Sequence, residues 1–218
     1  MRNYQLYLIR HGITEGNLKG LYVGSGTDLP LCEEGRSQLY ALRDRFTYPE
    51  VNTVFSSPLS RAVETAEILF PSASKKLVIQ DLREMAFGVY EGKEVKSLDF
   101  ARWMDPSSGY TPPHAEDTAD FHTRCREVLM HMFEYMMKTQ TFEAACVTHG
   151  GVIRSLVTHY LHMGGAYVPL LARHLENCGI TEFYYRESDG EMLLNRFNDF
   201  AHLMDEPELL RGGWGEKK

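Results

Sequence analysis

Short apolar runs alternate with longer amphipathic stretches along nearly all of this chain, and that alternation constrains the fold more than any other feature. Tyr4–Ile9 (YQLYLI) reads as a first strand, followed by a Gly-rich loop from Gly12 to Leu31. Glu33–Phe46 has a helical pattern, with Leu39, Leu42 and Phe46 on one stripe. Val51–Phe55 is a second strand. Ser57 and Pro58 then open a helix to Leu69, because Ser is a good N-cap and Pro suits the first helical position. Leu77–Ile79 is a third short strand. Lys93–Met104 predicts a further helix, and Asp105–Pro113 a loop rich in Pro, Ser and Gly. Glu116–Met137 predicts a long helix, with Phe121, Cys125, Val128, Leu129, Met132 and Met136 at helical spacing. Ala144–Thr148 (AACVT) is a fourth strand, Val152–His162 a helix, and Thr181–Arg186 and Met192–Phe197 two late strands.

Strands alternating with helices imply an α/β fold, with a largely parallel sheet covered on both faces. The late strands are joined by a short turn at Ser188-Asp189-Gly190, so at least one neighbouring pair is expected to be antiparallel. At 218 residues the chain suits one domain over 1–198, with a helical lid insertion over 93–137 and a tail over 199–218.

The charge balance narrows the partners. The chain has 23 basic and 30 acidic residues, a net charge of −7, which argues against a nucleic-acid partner. No run approaches the ~18 consecutive apolar residues of a membrane span, so no membrane partner is expected. The apolar run in MRNYQLYLIRHG is too short for a signal peptide, and a cytoplasmic protein is expected. Cys32, Cys125, Cys146 and Cys178 form no CxxC pair, so no metal site is expected and the thiols read as reduced.

In open α/β sheets, ligands bind beyond the carboxyl ends of the strands. That rule singles out Arg10-His11-Gly12, Ser56-Ser57 with Arg61, Arg83-Glu84, and His149-Gly150. His11 and His149 both end a strand and both precede glycine. A neutral imidazole with one nitrogen held by an acceptor is a good nucleophile toward phosphorus. Arg10 and Arg61 offer the planar fork that matches phosphate oxygens, and Arg61 also lies in the first turn of its helix. Asn17 has an amide for the same phosphate, although Asn is common in loops. Near substrate oxygens the protonated form of Glu84 is favoured, which suits a general acid. Composition alone does not separate that role from an exposed Glu paired with Arg83.

These residues lie in segments that resemble the histidine phosphatase superfamily, the phosphoglycerate mutase-like proteins. RHGITEGN (Arg10–Asn17) resembles the signature RHGxTxxN. SSPLSRAVETA (Ser56–Ala66), LREMAFGVYEGK (Leu82–Lys93), VTHGGVIR (Val147–Arg154) and ENCGITEF (Glu176–Phe183) continue the likeness in order. The resemblance implies a three-layer α/β/α sandwich with a mostly parallel mixed sheet. It implies that His11 becomes a phosphohistidine and that Arg10, Arg61 and His149 hold the phosphoryl oxygens, assisted by Asn17 and the amide of Gly150. Glu84 would protonate the leaving group and later activate water. It implies no cofactor and no metal, a small phosphorylated metabolite as substrate, and a homodimer as a mild expectation. Opposite protonation requirements at His11 and Glu84 predict a bell-shaped pH profile.

The chain also departs from the family pattern. Leu21, Tyr22 and Val23 stand in the loop after the nucleophile, where many relatives carry Arg or Gln, and suggest a pocket tolerant of apolar or aromatic leaving groups. Cys32 replaces the usual Thr or Ser helix cap, at a cost of ~1 kcal/mol. Tyr90 replaces Trp and either shapes the pocket floor or packs. His114-Ala115-Glu116-Asp117 replaces GGES, and His114 and Glu116 are expected to cap the long helix rather than touch substrate. Three alternatives remain beside a phosphatase of small esters. One is a bisphosphoglycerate-dependent mutase, which usually carries a His-Tyr pair where this chain has Met85-Ala86. The others are a phosphoprotein phosphatase and a catalytically silent phosphate-binding module.

Overall fold

A computed structural model describes residues 2–46, 48–94, 102–103, 108–160 and 175–204. Six strands form one sheet: β1 (Asn3–Arg10), β2 (Thr53–Ser56), β3 (Lys75–Val78), β4 (Glu143–Thr148), β5 (Ile180–Arg186) and β6 (Glu191–Asp199). Their order is β3-β2-β4-β1-β5-β6. The first four strands in that order run parallel, while β5 pairs antiparallel with both β1 and β6. The expected mixed, mostly parallel sheet is therefore present. β3 lies at an edge with Lys75 and Lys76 exposed, and charge of this kind discourages pairing with another chain.

Alternation along each inner strand explains the layers. Leu6, Leu8, Phe55, Ala144, Cys146 and Phe183 point to one face, where α4 (Thr118–Thr139) and α5 (Gly150–Tyr160) cover them with Phe121, Leu129, Met132, Val152 and Leu156. Ile9, Val54, Ala145 and Val147 point to the other. There α2 (Glu33–Arg45) and α3 (Ser60–Leu69) supply Leu39, Leu42, Ala62 and Ala66. This period-two switch buries apolar side chains on both faces and makes the three-layer α/β/α sandwich.

Several local expectations change. The helix after β2 begins at Ser60 with Leu59 at its N-cap position, so Ser57 does not cap it and Pro58 is not its first residue. The loop after β1 contains a short helix, α1 (Glu15–Leu18), closed by a capping box between Thr14 and Asn17. Cys32 does cap α2, its Sγ accepting from the Gly35 amide at 3.4 Å. The long helix α4 is capped by Asp117, which accepts from Ala119 N at 2.8 Å and Asp120 N at 3.3 Å. Glu116 and His114 therefore do not cap it. α4 buries seven residues in one layer of the sandwich, and much of the expected lid segment before it lies outside the described residues. Most of the helix expected at Lys93–Met104 lies outside the described residues. Packing continues past residue 198: α6 (Ala201–Met204) buries Leu203 in the second core, and Tyr48 Oη meets His202 Nε2 at 3.1 Å. No described helix is long and apolar enough to cross a membrane.

Candidate active site

The register brings three strand ends together. Arg10 of β1 lies opposite Thr148 of β4, and Ser56 of β2 lies opposite Val147. Each ladder then extends by one bond: His11 N donates to Thr148 O at 3.0 Å, and Ser57 N to Val147 O at 3.0 Å. His11, His149 and Ser57 are thus neighbours because β4 lies between β1 and β2. The two imidazoles have centroids 5.2 Å apart and tilted by 58°.

Backbone geometry fixes the tautomer of His11. Its Nδ1 is 2.7 Å from the carbonyl oxygen of Gly12, which can only accept, so Nδ1 carries the hydrogen. Nε2 of the neutral ring is left as a lone pair. Asn177 holds the same turn, its Nδ2 donating to His11 O at 2.7 Å and Gly12 O at 3.2 Å. Gly12 N donates to Thr65 Oγ1 at 2.9 Å. A Cβ on Gly12 would lie 2.8 Å from Leu39 Cδ1, so glycine lets this turn approach α2.

His149 is fully buried. Its Nε2 meets Ser57 Oγ at 2.7 Å, and its Nδ1 has no hydrogen-bond partner among the described residues. Ser57 Oγ also accepts from Leu59 N at 3.3 Å, and among the described residues His149 Nε2 is the acceptor within reach of its own hydrogen. Nδ1 then carries the ring's hydrogen as a buried donor still open to a ligand.

Buried cations surround these rings. Arg10 donates to the carbonyl of Leu175. Arg61, only 1% exposed, donates to the carbonyls of Gly24 at 3.1 Å, Thr27 at 3.3 Å and Val23 at 3.4 Å. Those carbonyls are held in place by Glu91, whose carboxylate accepts from Gly24 N at 2.9 Å, Phe87 N at 3.0 Å and Gly26 N at 3.1 Å. Arg154, one turn after Gly150 on α5, is the third guanidinium. Burial lowers Arg10 to about 10, and Arg154 reinforces the shift. Burial likewise lowers Arg61 and Arg154, and in each case Glu84 opposes it. Such a cluster is suited to a dianionic oxyanion.

Glu84 is the buried carboxyl among them. It does not pair with Arg83, which makes a surface ion pair with Asp81 at 3.0 Å and takes no part in the site. Glu84 Oε1 accepts from Met85 N at 2.9 Å, and Oε2 from Gly151 N at 3.0 Å. Thr148 Oγ1 donates to Leu82 O at 2.9 Å, tying the Glu84 segment to the end of β4.

The remaining expected residues are more peripheral. Asn17 Oδ1 accepts from Thr14 N at 3.0 Å, which leaves the amide nitrogen as its outward donor. Val23 packs over Gly16 and offers its carbonyl to Arg61. Tyr22 stacks at a tilt on Phe87, and burial raises its hydroxyl to about 12 while Arg154 opposes the shift. Tyr90 meets Tyr110 through their hydroxyls at 3.4 Å. Gly150 opens α5 against the side chain of Arg10. Sequence reasoning placed Ser57 at a strand end but gave it no chemical role, and it gave none to Arg154, Gly151 or Asn177. The spacing of Arg154 four residues after Gly150 is a signal that could have found it. Among the described residues, no group of three or more His, Cys, Asp or Glu could hold a metal ion.

Burial, reinforced by Arg61, holds both histidines well below the ordinary value of 6.5. Above that pH neither the folded nor the unfolded chain protonates them. Below it the unfolded chain binds protons that the folded site refuses, so stability falls as pH drops, by about 1.4 kcal/mol per pH unit for each such histidine. Urea unfolding between about pH 7.5 and 5 measures this slope. Stability that stays level or rises on acidification would contradict two buried neutral imidazoles.

Known proteins share this arrangement of fold and sequence. The family model of the histidine phosphatase superfamily (branch 1) matches residues 6–199. A Hydrogenobacter thermophilus protein named as a phosphoserine phosphatase is 32% identical over 187 residues, covering 83% of this chain and 89% of its own. A Proteus mirabilis protein named as a phosphoglycerate mutase is 29% identical, covering 92% of this chain and 95% of its own. The phosphoserine phosphatase of Entamoeba histolytica, solved with phosphoserine and with 3-phosphoglyceric acid, superposes with a TM-score of 0.76 at 26% identity, covering 92% of this chain and 99% of its own. With the family model spanning nearly all of the sheet and its covering helices, the chain belongs to the histidine phosphatase superfamily, branch 1, and is a phosphoric monoester hydrolase.

Proposed function

We propose that this chain hydrolyses small phosphomonoesters through a covalent phosphohistidine on His11, with Glu84 as general acid and then general base. The observation that carries this most directly is the 2.7 Å contact of His11 Nδ1 with Gly12 O, which leaves Nε2 as the lone pair for attack. In the first step Nε2 bonds to phosphorus as the phosphorus–oxygen bond to the alcohol breaks, and Glu84 gives its proton to the departing oxygen. In the second step water attacks phosphorus, the electron pair of the breaking phosphorus–nitrogen bond returns to Nε2, and Glu84 takes up water's proton. Arg10, Arg61 and His149 Nδ1 stabilise the transferring oxygens, and the amide of Gly150 joins them at the start of α5. The positive charge comes from the chain's own arginines, so activity should resist a chelator. Burial among Arg61 and Arg10 lowers His11, which keeps the nucleophile neutral to a lower pH than a free imidazole.

Small phosphorylated metabolites are the substrate class supported by the relatives bound to phosphoserine and 3-phosphoglyceric acid. Phosphate release from a panel of such esters, with chelator present, is the first test. The second is rapid alkaline quench with labelled substrate, mapping the trapped phosphoryl group by mass spectrometry. Turnover without label on His11 would refute the covalent mechanism. The Proteus mirabilis relative favours a second reading, a mutase, and interconversion of 3- and 2-phosphoglycerate in an enolase-coupled assay would establish it.

Gly151→Ala tests the placement of Glu84. A Cβ there would lie 2.2 Å from Glu84 Oε1, so the carboxyl must shift. Misplacing a general acid is expected to lower kcat/KM on alkyl phosphates about a hundredfold. Ala is a better helix former than Gly by about 1 kcal/mol, so thermal stability should hold or rise. Unchanged activity would show that Glu84 does not act from this position.

A further inference from the structure

The loop segment that carries Glu84 is gripped from behind by an ion pair that takes no part in the chemistry proposed above. Arg124 lies on the second turn of α4, and Glu116 just before its cap. Arg124 Nε donates to Glu116 Oε1 at 2.8 Å, and Nη2 to Glu116 Oε2 at 2.7 Å. The remaining arm, Nη1, donates to the carbonyls of Asp81 at 2.7 Å and Arg83 at 3.0 Å. Glu116 reaches past Glu84 on the other side: its backbone N donates to Ala86 O at 2.9 Å, and its Oε2 accepts from Ala86 N at 3.4 Å. The pair therefore holds residues 81 and 83 before Glu84 and residue 86 after it. The side chains of Arg124 and Glu116 are 11% and 15% exposed, which shields the pair from the screening that weakens surface ion pairs.

We infer that the Glu116–Arg124 pair positions the general acid, by clamping the segment on both sides of Glu84. The inference rests on Glu84 being that acid. It gives Glu116 a place in the reaction without contact to substrate. A bidentate fork suits this task because it fixes a plane as well as a distance. Lysine has the charge but cannot span a carboxylate and two carbonyls at once. The residues that hold the phosphoryl group, Arg10, Arg61 and His149, are bonded to neither member of the pair.

The test uses the leaving group as a probe. Departure of an alkoxide needs a proton, whereas departure of 2,4-dinitrophenolate does not. Values of kcat/KM, which report only steps through loss of the leaving group, are compared for the best alkyl phosphate of the panel and for 2,4-dinitrophenyl phosphate. Glu116→Gln and Arg124→Lys are expected to lose about tenfold to a hundredfold on the alkyl ester and less than about threefold on the dinitrophenyl ester, with KM little changed. Equal losses on both esters, or loss on neither, would overturn the inference. Glu116→Gln keeps shape and volume, so it decides the matter if Arg124 variants fail to fold. Glu84→Gln is run beside them. If it too loses equally on both esters, the general-acid assignment itself falls. If it is selective and the clamp variants are not, only the clamp falls.

Discussion

His11→Ala is expected to abolish phosphate release, lowering kcat by at least about a thousandfold on every ester of the panel. Removing the imidazole deletes the atom that bonds to phosphorus, and the described neighbours offer no equally placed replacement. His149 Nε2 is occupied by Ser57, and its Nδ1 carries a hydrogen. Affinity should behave differently. Arg10, Arg61 and His149 remain, so inorganic phosphate should still bind, and calorimetry would measure it. The variant should also lose the trapped phosphoryl label. Activity above about a tenth of wild type would overturn the covalent mechanism, because no other group on this route can carry the phosphoryl group.

Arg61 should give the second large effect, because its guanidinium has two tasks. It is part of the charge that stabilises the transferring group, and it binds the carbonyls of Val23, Gly24 and Thr27. Arg61→Lys keeps a charge but loses the fork. We expect a fall of about 10²–10³ in kcat/KM, the size seen when one preorganised oxyanion donor is removed. The amides of Val23 to Thr27 should also exchange faster, since that loop would keep only its bonds to Glu91 and to Met85 O among those described. A variant within about threefold of wild type would show that Arg61 contributes structure without transition-state stabilisation.

Individual residues show how much was legible in the sequence. His11 and His149 could be found from the rule that ligands gather beyond strand ends, and the structure does place them side by side. The same rule selected Arg83, which turns to the surface and pairs with Asp81. The third guanidinium, partly buried, is Arg154, displaced along a helix rather than at a strand end. Ser57-Pro58 carries the signal of a helix start, yet that signal cannot tell a cap from a strand-end turn. Only the position of β4 beside β2 gives the hydroxyl His149 as a partner. Asp117 caps α4 where two neighbouring residues were expected to, which frees Glu116 to reach Arg124 and Ala86. Capping depends on a backbone angle set by the incoming chain, and a four-residue motif does not specify that angle.

What the sequence determined by itself was the layered architecture. Period-two runs on β1 and β4 and 3.6-residue stripes on α2 and α4 are local, and each requires a covered face. It also determined the chemical repertoire at the strand ends, because topology sends those residues to one edge. The tertiary structure decided what each group can do there. The tautomer of His11 depends on a carbonyl turned back by the Gly12 bend, and the open donor on His149 depends on a serine 92 positions away. The neutral state of both rings depends on burial beside arginines drawn from β1 and α3. Tautomer, burial and field are properties of neighbours, and the order β3-β2-β4-β1-β5-β6 chose the neighbours.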